Sequence, residues 1–149
     1  MIAPSYPDHP FRIRKDGDAD TIFCELRRRW VRLTPEEWVR QNTFQWLRTV
    51  AGYPAEMISI EKGIRVVGMA RRYDLLVHDS HARPWMLVEC KAGSVRLGRE
   101  TLMQVLRYNI AIPVPYLMIT NGDHVMVFAK NEGMDLLDEM PTWGRGGER

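Results

Sequence analysis

Tyr73-Asp74-Leu75-Leu76-Val77 and Trp85-Met86-Leu87-Val88-Glu89 are two apolar runs, joined through the polar stretch Asp79-Ser80-His81-Ala82-Arg83-Pro84. Runs of this length, bounded by turn residues, read as a β-hairpin. Closing it symmetrically about His81 and Ala82 sets Asp74 directly opposite Glu89. Directly opposed side chains have Cβ atoms about 4.5–5.5 Å apart, so two carboxylates converge on one point. Lys91 shares a face with Glu89, because strand side chains alternate. Facing carboxylates raise each other's pKa unless a cation stands between them. The arrangement predicts a divalent-metal site with a lysine beside it.

Outward from the hairpin, the pattern predicts two helices and further strands. Thr34 reads as an N-cap, with Pro35 at the first helical position and Glu37 placed to complete a capping box. That helix is expected to reach about Ala51 and stop at Gly52, with Pro54 beyond. Residues 57–61 and 64–67 are short apolar runs separated by Lys62-Gly63, a strand with a turn or bulge. Gly98 precedes a second helix over residues 99 to about 111, with Leu102, Val105, Leu106, Asn109 and Ile110 at helical spacing. Residues 116–120 and 124–129 flank Asn121-Gly122-Asp123, a hairpin turn.

The ends differ in composition. Residues 1–20 are rich in Pro, Asp and Gly, with a short strand expected at Phe11-Arg12-Ile13, and residues 21–31 fit strand or helix equally. Residues 141–149 are Gly-rich and expected to be mobile. The expected organisation is an N-terminal arm with short strands over 1–32, a core over 33–130 and a C-terminal tail over 131–149. The fold class is α/β, a mixed sheet with a helix on each side.

The 149 residues suffice for one domain with a full core, and the apolar fraction is that of an ordinary soluble protein. No apolar run approaches the roughly 20 residues that span a membrane, and Met1-Ile2-Ala3-Pro4 does not read as a signal peptide. Two cysteines are too few for a disulfide framework, and a reducing cytoplasm fits them. Cys90, on the opposite strand face from Glu89, is expected to pack in the core. The histidines, His9, His78, His81 and His124, lack ligand spacing for zinc, and neither a phosphate-binding Gly-rich loop nor a serine or cysteine nucleophile motif is present. Net charge is +2, yet Arg27-Arg28-Arg29, Arg32, Arg40, Arg48, Lys62, Arg65, Arg71 and Arg72 load the first half with cations suited to phosphate.

Asp74 followed by Glu89-Cys90-Lys91 on the next strand resembles the PD-(D/E)XK nuclease superfamily, with Arg72-Tyr73 standing where its name has proline. The wider chain resembles the N-terminal nuclease domain of type I restriction enzyme R subunits, in its small stand-alone form. The resemblance rests on Leu33-Thr34-Pro35-Glu36-Glu37-Trp38-Val39-Arg40-Gln41, Gly52-Tyr53-Pro54, Arg72-Tyr73-Asp74, Val88-Glu89-Cys90-Lys91-Ala92, Gln104 to Tyr108-Asn109, and Thr120-Asn121-Gly122. These six segments occur in order across residues 33–122.

The resemblance implies a restriction-endonuclease-like α-β-β-β-α-β core and Mg²⁺-dependent hydrolysis of DNA, with Mn²⁺ able to substitute. Asp74 and Glu89 would be the metal ligands, and Lys91 would orient the attacking water or steady the phosphate. Gln104, one helical turn before Tyr108, would stand beside the metal. A further acid is expected on the first helix, where Glu36 and Glu37 compete. Helical projection sets Glu37 on a polar stripe with Gln41, Gln45 and Arg48, and Glu36 on the arc of Arg40, Val39 and Trp46. The family's Glu-x-x-Val-Arg pattern fits Glu36 to Arg40, which favours Glu36. Arg40, Arg72 and Tyr108 are the expected nucleic-acid contacts. The sequence carries neither the ATP-driven translocase nor the sequence-reading subunit of the parent enzymes, so the domain is expected either to work alone with little sequence preference or to borrow targeting from restriction-system or other protein partners; a homodimer is a further expectation. The rival readings are a non-cleaving nucleic-acid-binding or assembly module of the same fold, and a nuclease for RNA or branched DNA.

Overall fold

The computed structural model describes residues 1–60, 63–66, 69–72, 74–130 and 132–144; of 63–66, 69–72 and 108–111 it describes the backbone alone. In chain order come β1 (Ile13–Asp16), β2 (Ala19–Cys24), β3 (Arg29–Arg32), α1 (Pro35–Thr49) and β4 (Ile58–Ile60). Next are β5 (Gly63–Val66), β6 (Met69–Arg72), β7 (Leu75–His78) and β8 (Pro84–Cys90). Helix α2 (Arg99–Ala111) leads to β9 (Tyr116–Thr120), β10 (Val125–Lys130) and β11 (Met134–Leu136).

Six of these strands form one sheet in the order β11-β10-β9-β8-β7-β4. Its pairs are antiparallel except β8 with β9, which run parallel. A parallel pair needs a crossover connection, and α2 supplies it. Strand β8 is central, and Trp85 to Cys90 are all buried, as a continuous apolar run requires of a strand covered on both faces. Alternation then assigns the faces. Val88, Cys90 and Met118 pack with Val39, Trp46 and Leu47 of α1, while Leu76, Leu87, Leu117 and Ile119 pack with Val105 of α2. This is the expected restriction-endonuclease-like architecture, with the β5–β6 hairpin set between the first two strands of its meander.

Local chemistry sets the helix ends. Thr34 is extended and its hydroxyl accepts from the Glu37 N–H at 3.0 Å, with Pro35 opening α1. The helix stops before Gly52, whose φ of +76° suits a residue without a Cβ. No helix of the described residues is long and apolar enough to cross a membrane. Cys24 and Cys90 are both free and buried.

Two expectations are corrected. The short strands expected in the arm over residues 1–32 join as a three-stranded antiparallel sheet, and its first strand is Ile13–Asp16 rather than Phe11-Arg12-Ile13. The tail continues the fold: β11 pairs with β10, the Tyr53 hydroxyl donates to the Pro141 carbonyl at 2.7 Å, and the Trp143 indole donates to the His78 carbonyl at 2.9 Å. Residues 145–149 lie outside the described residues. On the polar stripe of α1, Glu37, Gln41 and Gln45 are buried beneath the connection from β2 to β3, which the sequence did not show. Gln45 donates to Glu25 there at 3.2 Å, so α1 has two covered faces where a projection onto one core assumes a single one.

Candidate active site

Hairpin register builds the site. Leu75 pairs with Val88, Leu76 with Leu87 and Val77 with Met86, which extrapolates to Asp74 opposite Glu89. A bulge between Val77 and His78 then sets His78 against Pro84, so the slip falls at the turn end and spares the site end. Asp74 stands just before β7, and its Oδ2 accepts the Cys90 backbone N–H at 2.7 Å. Both carboxylates are buried, Asp74 at 5% and Glu89 at 4% exposure.

The two oxygens of Glu89 are treated differently. Oε1 accepts from Gln104 Nε2 at 3.0 Å and pairs with Lys91 Nζ at 3.1 Å. Oε2 is buried and has no hydrogen-bond partner among the described residues. An unsatisfied buried carboxylate oxygen is costly unless the group is protonated or ligated. Burial first, and the Asp74 charge second, push Glu89 up to about 8 against the pull of Lys91. Burial alone would lower Lys91, but the carboxylates of Glu89, Glu36 and Asp74 outweigh it and hold the ammonium charged. Glu36 is exposed at the rim, and its carboxyl is raised by partial enclosure and then by Asp74. Asp74, Glu89, Lys91, Gln104 and Glu36 therefore meet at one end of the sheet.

Glu37 and Arg40 do something that sequence reasoning missed. Arg40, expected at nucleic acid, is buried, and its Nη2 and Nε donate to Asp74 Oδ1 at 2.7 and 3.2 Å. Its Nη1 donates to Glu37 Oε1 at 2.7 Å. The Glu37 carboxylate also accepts from Gln41 at 3.1 Å and Arg27 at 3.5 Å, rather than turning back to the Thr34 N–H as a capping box would. Glu37 thus anchors the arginine that neutralises Asp74. The i, i+3 spacing of Glu37 and Arg40 was the available signal. The side chains of Arg72 and Tyr108 lie outside the described residues.

The donor set suits a hard cation. Glu89 Oε2 is open, and Asp74 Oδ2 has one lone pair left beyond the Cys90 N–H. Among the described residues no group of three His, Cys, Asp or Glu side chains is gathered to hold a metal, so protein ligation would rest on two carboxylates with water or backbone oxygen completing the shell. No curated protein matches the chain. A family model, type I restriction enzyme R protein N terminus, matches residues 35–141, from the first turn of α1 past β11. On the strength of that match over most of its length, the chain belongs to the family of type I restriction enzyme R protein N-terminal domains.

Proposed function

We propose that this domain is a divalent-metal-dependent nuclease that hydrolyses DNA phosphodiester bonds. The observation that carries the reading is the buried Oε2 of Glu89, without a hydrogen-bond partner among the described residues, set beside Asp74 and flanked by Lys91. Asp74 and Glu89 would hold Mg²⁺ or Mn²⁺, which supplies Lewis acidity toward the phosphate and a more acidic bound water. Gln104 fixes the Glu89 rotamer through Oε1, which would leave Oε2 to hold a cation. Lys91, charged and partly exposed, donates to a non-bridging phosphate oxygen or orients the attacking water. Glu36, at the open rim, takes up a proton or steadies that water. Arg40 and Glu37 act as positioning residues that lock Asp74.

Family membership supports DNA as substrate and a restriction system as the source of protein partners. One observation favours a second reading, a non-cleaving module: Arg40 already neutralises Asp74. Incubating supercoiled plasmid with the protein in Mg²⁺ or Mn²⁺ separates the two. Nicking by wild type, reduced a hundredfold or more in Lys91→Ala with binding retained, is expected. Binding without nicking across both metals would favour the module, and cleavage of RNA or branched DNA alone would change the substrate class.

A further inference from the structure

The β1–β2–β3 sheet precedes the family match and has two unlike faces. Toward α1 it turns Ile22 and Cys24, 0% and 2% exposed, with Cys24 lining the same cleft as Gln41 and Phe44. Its outer face carries Arg12, Arg14, Thr21, Phe23, Trp30 and Arg32. Register fixes this: Arg14 pairs with Thr21, Thr21 with Arg32 and Phe23 with Trp30, while the Phe23 N–H donates to the Arg12 carbonyl at 2.9 Å. All three arginines are exposed.

Two of the three cations, Arg12 and Arg14, are stacked on the aromatics. The Arg12 guanidinium carbon lies 4.7 Å from the Phe23 centroid and 5.3 Å from that of Trp30, and the Arg14 carbon lies 4.0 Å from the Trp30 centroid. Among the described residues no acidic side chain forms an ion pair with Arg12, Arg14 or Arg32. On the other face Lys15 is paired with Asp20 at 3.2 Å. The acid on the outer face, Asp16, stands at the end of the row beside the Gly17 turn. Three exposed cations without an acidic partner on one small sheet give this face a local positive potential that favours an anion. A stacked guanidinium keeps its N–H edge free, and that planar fork matches the oxygens of a phosphate. The ring beneath holds the long side chain in place, which lowers the ordering cost of binding.

We propose that this face docks the sugar–phosphate backbone of a nucleic acid, as a platform separate from the carboxylate site. Docking requires no hydrolysis, so it stands whether or not the domain cleaves. The test is fluorescence anisotropy in EDTA with a labelled DNA duplex and its single strand. Wild type is compared with Arg12→Gln/Arg14→Gln/Arg32→Gln and with a control of equal charge change, Arg48→Gln/Arg83→Gln/Lys130→Gln. The first triple should weaken binding at least tenfold and lower the slope of log affinity against log salt by about two to three, while the control retains most of both. Should that triple melt early, each single substitution should lower the slope by about one. Equal losses in both triples, no loss in the first, or wild-type preference for an acidic peptide over DNA would overturn the proposal.

Discussion

Glu89 Oε2 has no hydrogen-bond partner among the described residues, and the consequence is a pH dependence that can be signed. Glu89 titrates near 8 in the fold against an ordinary 4.5, so the folded chain holds this proton more tightly than the unfolded chain. Its favourable contribution is complete below about pH 4.5 and is lost as pH rises through about 8. In metal-free urea melts, wild type should therefore lose stability relative to Glu89→Gln between about pH 5 and 8, by up to several kcal/mol at about 1.4 kcal/mol per unit. Parallel stability curves would contradict this. The residues at the start of α1 should separate in stability and metal-binding assays. Arg40→Met leaves the buried Asp74 carboxylate without its cation, while Glu37 keeps Arg27 and Gln41, and should cost about 3–5 kcal/mol. Glu36→Gln, at the rim, should leave the melting temperature unchanged and weaken Mn²⁺ binding. The convergence of Asp74 with Glu89 was legible because period-two alternation and hairpin symmetry are strictly local. Arg40 was not, since a basic residue on a helix reads alike whether it meets phosphate or a buried carboxylate.

Among the elements, the β7–β8 hairpin shows where local rules held and where they slipped. Asp79 Oδ1 accepts the His81 and Arg83 N–H groups at 2.9 and 3.0 Å, and Ala82 sits at φ +59°. A left-handed alanine costs about 1 kcal/mol relative to glycine, so Ala82→Gly should raise stability by up to that amount in thermal melts. A destabilised variant would show that the turn is not strained. Helix α1 was legible through Thr34, Pro35 and Gly52, and α2 through its apolar spacing. The first sheet was legible only as short strands in an arm, because Phe23 and Trp30 face outward beneath arginines and so erase the apolar-in, polar-out alternation that marks a strand. Composition likewise hid the docked tail, where the contacts that matter are one Trp143 indole and one Pro141 carbonyl.

For the molecule as a whole, the sheet order sets the parallel β8–β9 pair at its centre and brings Glu89 and Lys91 to the end of β8, where the α1 N-terminus and α2 both reach them. The crossover through α2 delivers Gln104; the start of α1 delivers Glu36, Glu37 and Arg40. This architecture was expected from the order of predicted elements, and the family match across residues 35–141 agrees with it. A cation bound only by the folded state would stabilise it by mass action, so millimolar Mn²⁺ should raise the melting temperature of wild type and leave that of Glu89→Ala unmoved. The most direct test of the carboxylate pair as a metal centre is titration calorimetry of Mn²⁺ into wild type, Asp74→Ala and Glu89→Ala. Wild type should bind Mn²⁺, and both variants should lose that binding while remaining folded. Equal binding by all three, or a folded wild type that takes up no Mn²⁺, would contradict it.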